Sequence, residues 1–268
     1  MLRKIIILGL CLSAMLSAMG DKPKTESSSG STSTVAAPAK SQSLLNQPIE
    51  ELSADKLYQR AIAEHKRAES INYPEQTDKA IAAAALFVSK YAEDKRRFEM
   101  IYYLALNYAK NSKLQERKKV VDDFFAQVPM DDESQKDLIE LMRLELLPAL
   151  TYSGETASAN ALYAELKKQY ADNKMILARL HQDALAILNT DGQKAVYRFF
   201  REGNNRTYLN NSSNYYIYTH KLAVIYYNEN NYREATPLFK EVAAREEPEY
   251  SFFAESATNY LKRISGGK

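Results

Sequence analysis

Tryptophan is absent from the 268-residue chain, cysteine occurs once, at Cys11, and glycine and proline number only eight each. Each shortage closes off a class. A single cysteine cannot form an internal disulfide or a thiolate zinc site, so stability has to come from packing. Scarce glycine and proline argue against a turn-rich β fold, and no apolar–polar alternation flanked by hairpin turns occurs. No run reaches the ~18 uninterrupted apolar residues of a spanning helix. The formal charge is +2, from 36 basic and 34 acidic residues, and supplies no overall field toward nucleic acid. Serine-elbow, phosphate-loop, dinucleotide-loop and HExxH patterns are all missing. The three histidines, His65, His181 and His220, lie far apart, and Glu64-His65 alone is no metal motif. No cofactor and no metal are therefore expected. Tyrosine, by contrast, is abundant, with 19 residues.

The N-terminus has the pattern of an export signal. Arg3 and Lys4 precede an apolar run over residues 5–16, and Ala18-Met19-Gly20 places small residues at a cleavage site. Twelve apolar residues would rise only about 18 Å as a helix, short of the ~30 Å core of a bilayer. Residues 1–20 are read as a signal peptide, and removing Arg3 and Lys4 with it balances basic against acidic charge. Residues 21–50 are rich in Ser, Thr, Lys, Pro and Ala. They cannot bury enough surface to offset their ordering entropy, so they read as a disordered linker. The motif Asp21-Lys22-Pro23-Lys24 before a Ser/Thr-rich stretch resembles the tether of bacterial lipoproteins, although Leu10 before Cys11 breaks the lipidation pattern. An exported, periplasmic location is expected, with lipid anchoring to an envelope membrane as the alternative.

Residues 51–268 read as helix almost throughout. Helical segments are expected at residues 56–69 and 77–90, separated at Tyr73-Pro74. Further polar breaks fall at residues 110–113, 153–155, 190–192 and 228–231. The segment KLAVIYYNENNYREATPLFKEV, residues 221–242, holds an arrangement that recurs. Leu222-Ala223 and Tyr226 share one helical face, and Tyr232, Ala235 and Phe239 share the next, with Pro237 in or near the first turn of the second helix. Leu104-Ala105 and Tyr108 repeat the first half, with Pro129 at the far end and Arg117 where a small residue would be expected. Pro148-Ala149, Tyr152, Ala159 and Tyr163 form a shortened version; Ala184, Ile187, Val196 and Phe200 form another. Ala83 and Phe87 fit the second helix of an opening pair. The second-helix aromatics Phe87, Phe124, Tyr163, Phe200 and Phe239 recur about every 36 to 40 residues.

This pattern resembles the tetratricopeptide repeat, a helix–turn–helix unit, over residues from about 55 to 265. The resemblance implies an all-α solenoid of about five antiparallel helix pairs, stacked because each pair leaves one face needing a neighbour. It also implies a concave groove lined by first helices. Transferred by position, that face comprises Glu99, Tyr102, Leu106, Ala109 and Lys110 in the earlier unit, and Ile217, His220, Val224, Tyr227 and Asn228 in the later one. The implied function is a non-catalytic scaffold or adaptor of the bacterial cell envelope that binds a protein or peptide partner. No nucleic acid is expected, peripheral association with an outer membrane is compatible with the reading, and the oligomeric state is open. Two alternatives belong to other classes: an enzyme acting on cell-wall glycan through a Glu acid, or its helical accessory domain, and a self-associating structural protein. Asp131-Asp132-Glu133 reads as charge favouring a helix N-terminus. The clusters Arg96-Arg97 and Arg117-Lys118-Lys119 read as solvated helix faces.

Overall fold

The structure, a computed structural model, describes residues 44–45, 47–71 and 73–266. The signal-peptide expectation, Cys11 and most of the expected linker lie outside these residues. Eleven α-helices and no strand occur among the described residues, and within each of two units the helices pack on their neighbours, as in a helical-repeat fold. The chain divides into two compact units, which meet in sequence between Glu155 and Thr156.

The first unit contains α1 (Ala54–Ser70), α2 (Pro74–Lys90), α3 (Arg97–Lys110), α4 (Leu114–Gln127) and α5 (Lys136–Ser153). Pro74 opens α2 at its first turn, where its missing N–H costs nothing. Gly154 closes α5 in the left-handed conformation, φ 80°, a backbone state that favours glycine. Consecutive helices pack, and α1 also touches α3 while α3 touches α5, so alternate helices share a layer. Leu57, Ala61, Ile81, Ala84, Phe87, Met100 and Leu104 form one core cluster. Ile101, Ala105, Val121, Phe124, Val128, Ile139 and Met142 form the next. Adjacent residues Leu104 and Ala105 thus serve different clusters, and α3 is packed from both sides. Leu44 and Ile49, expected in the linker, pack on the first cluster together with Leu52, ahead of α1.

The second unit contains α6 (Thr156–Gln169), α7 (Lys174–Ala184), α8 (Thr190–Arg201), α9 (Asn214–Asn228), α10 (Tyr232–Ala243) and α11 (Ser251–Ser265). Asparagine side chains cap three of these N-termini. Asn173 accepts from the Ile176 N–H at 3.2 Å, Asn189 from Gly192 at 2.9 Å and Asn231 from Glu234 at 3.4 Å. The core cluster includes Val196, Phe200, Leu222, Ala223, Tyr226, Ala235, Phe239 and Ala257.

The recurrent aromatics behave as their spacing predicts: Phe87, Phe124, Phe200 and Phe239 are fully enclosed and Tyr163 is buried. Each such ring contributes about 1.5–3 kcal/mol by leaving water. Five details differ from the sequence reading. Tyr152, assigned to a packing position, is 63% exposed, and Tyr232 sits at a helix start with 37% exposure. Residues 190–192 are not a break but the first turn of α8, because Asn189 caps that helix. Ile187 lies in the turn after α7 rather than on it. Pro237 lies inside α10 past its first turn, so one intrahelical donor is lost there.

Candidate functional site

Two facing stripes meet where α1 lies against α3. On α1, Tyr58, Ile62, His65 and Glu69 follow helical spacing; on α3, Glu99, Tyr103 and Asn107 recur every four residues. Tyr58 donates its hydroxyl to Glu99 at 2.9 Å, and the Arg96 guanidinium lies 4.7 Å from the Tyr58 ring centre. Arg96 is itself held by Asp94 at 2.6 Å and Asp55 at 2.8 Å. The His65 ring lies 4.6 Å from that of Tyr103, and its Nδ1 meets Asn107 Oδ1 at 2.9 Å. Lys110 closes the seam by donating to the Ala68 carbonyl, one of the carbonyls left open in the last turn of α1.

The electrostatics follow from burial. Desolvation pushes the Tyr58 hydroxyl well above its ordinary value, reinforced by the Glu99 carboxylate, and pushes Tyr103 up to about 12. Desolvation lowers His65 and Lys110. Both tyrosines and His65 are therefore neutral near pH 7. The Glu69 carboxylate stands 3.6 Å from His65 Nε2, and the Asn107 amide nitrogen is buried without a partner. Exchanging the amide oxygen and nitrogen of Asn107 resolves both features. The amide N–H then donates to Nδ1, and Nε2–H points at Glu69.

The predicted residues of this unit fall on or beside the seam. Tyr102 and Leu106 are half-buried, as is Ala109, while Lys110 is exposed at the end. The Tyr102 ring lies 5.9 Å from Tyr103 and packs on the second core cluster. Sequence reasoning named one side of this constellation and missed Tyr58, His65, Tyr103 and Asn107. The i, i+4, i+8 run Glu99-Tyr103-Asn107 was the signal that could have found them.

The predicted residues of the second unit divide differently. Ile217 and Val224 are half-buried against the core cluster, and Asn228 is exposed. His220 is buried: its Nε2 meets Ser256 Oγ of α11 at 3.0 Å, and its ring lies 5.4 Å from Phe253 and 5.8 Å from Phe239. Tyr227 packs 4.8 Å from Tyr260 of α11, which itself stacks on Phe239 at 4.7 Å. The last helix therefore covers this part of α9, and His220 and Tyr227 are packing residues of that seam. Desolvation lowers the His220 pKa.

His181 completes a pattern. It is buried between α6, α7 and α8, with Nδ1 2.6 Å from the Tyr163 hydroxyl and its ring 4.7 Å from Phe199. Its pKa falls to about 4 through desolvation, aided by nearby Lys167. All three histidines thus join a pair of helices through a neutral hydrogen bond.

Among the described residues, no group of three or more His, Cys, Asp or Glu side chains could hold a metal, and no helix is long and apolar enough to cross a membrane. Comparison with protein families, curated proteins and solved structures returns no match to the chain.

Proposed function

We propose that this chain is a binding scaffold built from tetratricopeptide-like antiparallel helix pairs, exported to a bacterial cell envelope, where it receives a peptide or protein segment. The observation that carries this reading is the α1–α3 seam. There a packed polar and aromatic ladder holds α3 rigidly while Tyr102 and Leu106 remain half-exposed beside charged Glu99 and Lys110. A rigid helix face of mixed aromatic, aliphatic and charged side chains suits an extended partner, because little side-chain freedom is lost on contact. In the second unit, Ile217 and Val224 are half-buried against the core cluster and Asn228 is exposed. The export reading rests on residues 1–20, as argued from their sequence.

The test places a photo-cross-linking side chain at position 106 of the full chain in intact cells. One stoichiometric envelope protein is expected in the cross-linked product, and Tyr102→Ala is expected to reduce it at least tenfold. Unchanged capture by a Tyr102→Ala chain with native circular dichroism would rule this face out. Recovery of the chain alone would favour self-association instead.

A further inference from the structure

A second surface, at the start of the first unit, already holds an extended segment. Leu44, Leu45 and residues 47–52 precede α1 as a strap, with a single 3-10 turn at Ile49–Glu51. Helix-side groups grip its main chain. Arg60 Nη1 donates to the Leu44 carbonyl at 2.6 Å, Lys90 Nζ to Glu50 at 2.6 Å, and the Tyr91 hydroxyl to Leu52 at 2.7 Å. Lys90 also reaches the Leu52 carbonyl at 3.4 Å.

Three apolar side chains fill the remaining contacts. Leu52 is buried, and Leu44 and Ile49 pack on the cluster of Leu57, Ala61, Ile81 and Phe87. Beneath the strap lies a buried polar group: Arg60 Nε donates to Glu64 at 2.6 Å, and Gln76 donates to the other Glu64 oxygen. Arg60 thus keeps one guanidinium edge neutralised by Glu64 and turns another toward a main-chain carbonyl. Donors that read carbonyls, combined with pockets that read spaced apolar residues, form a general mode of recognising extended peptides. The strap's own hydrogen bonds are few and long. The Glu51 N–H reaches Pro48 and the Leu52 N–H reaches Ile49, each at 3.3 Å.

We infer that the strap-covered end of the α1–α2 pair is a binding site for an extended segment carrying three spaced apolar side chains, filled in this chain by its own strap. The occupant it can take in trans is the same segment of a second copy, which presents the identical carbonyls and the identical Leu44, Ile49 and Leu52. This site is distinct from the α1–α3 face proposed above and stands without it.

The test uses the full chain with Leu44→Ser and Leu52→Ser together, and a fluorescent peptide spanning residues 43–53. Circular dichroism establishes that the variant stays helical. Saturable binding is expected to the variant, and at least tenfold weaker apparent binding to the unaltered chain, whose tethered strap competes at an effective concentration on the order of millimolar. Adding Lys90→Met and Tyr91→Phe to the variant should weaken the peptide at least tenfold, because the carbonyl grips are removed. No binding to a helical variant, or equal binding to variant and unaltered chain, overturns the inference. A measurement independent of any variant is amide exchange in the unaltered protein. The Glu51 and Leu52 amides should exchange at least a hundredfold faster than those of Leu57 and Phe87, since a separable ligand leaves without unfolding its site. Exchange at one common rate overturns the inference equally.

Discussion

Arg117 occupies the position where the repeat pattern calls for a small residue, and the structure supplies a definite consequence for replacing it. Its guanidinium lies 2.5 Å from the Glu145 carboxylate of α5, with side-chain exposures of 7% and 1%. Two charges this enclosed have given up most of their hydration, and their attraction does little more than offset that cost. Removing the guanidinium takes this contact from Glu145 while leaving the carboxylate as deeply enclosed as before. Arg117→Met and Arg117→Ala should each destabilise the first unit by about 3–5 kcal/mol. The double replacement Arg117→Met with Glu145→Leu should return to within about 1 kcal/mol of the parent, because apolar groups of similar volume need no partner. A coupling energy of about 2 kcal/mol or more follows for the pair. Urea unfolding followed by helical circular dichroism reads these values. With a slope of ~2 kcal/mol per molar, the single changes lower the midpoint by about 1.5–2.5 M. Amide exchange in α4 and α5 localises the loss. The Arg117→Ala variant separates two lines of reasoning sharply. Pattern alone makes it a repair toward the small residue of the repeat, whereas the buried ion pair makes it a lesion. A midpoint within about 0.5 M of the parent, or additive effects of the two single changes, would refute the buried-pair account.

Two further outcomes follow from the core. Ala223 and Ala235 are both fully buried where α9 meets α10, so Ala223→Leu or Ala235→Leu should overpack the junction by about 1–3 kcal/mol. Urea midpoints equal to the parent for both would show that the helices approach differently. The second outcome concerns pH. Burial lowers His181 from 6.5 to about 4, so as pH falls the unfolded chain takes up this proton first. The stability that neutral His181 secures is intact above about pH 6.5 and lost progressively down to about pH 4. The loss is about 2 kcal/mol at pH 5 and about 3 kcal/mol in full. His181→Gln should flatten the change in unfolding free energy between pH 7 and pH 5; an unchanged slope would show that His181 does not carry it.

How far the chain was legible depends on which residues carry each feature. Phe87, Phe124, Phe200 and Phe239 were visible as a period, and each is enclosed, because a large ring on a helical stripe has only one energetically acceptable destination. Tyr152 held the first-helix aromatic position of the shortened unit and is exposed, because its hydroxyl lets a tyrosine rest in water where a phenylalanine would not. Arg117 was visible as a departure from pattern, but its compensation was not, since Glu145 lies 28 residues away on another helix. Spacing marked Glu99 and Lys110 on α3, while their partners Tyr58 and the Ala68 carbonyl reach them only through the packing of α1.

The amino-acid sequence by itself determined that this is a helical protein. Helix propensity, the 3.6-residue apolar stripe, the asparagine caps and the recurring aromatics are local properties, and local free energies sum along the chain without reference to what lies across it. Tertiary structure alone decided which stripes are covered. α11 folds over α9, burying His220 and packing a ring against Tyr227. The strap before α1 sits on a surface where composition predicted only linker. These outcomes depend on contacts between residues tens of positions apart, whose strength is set by three-dimensional approach and loss of water rather than by any neighbour in the chain.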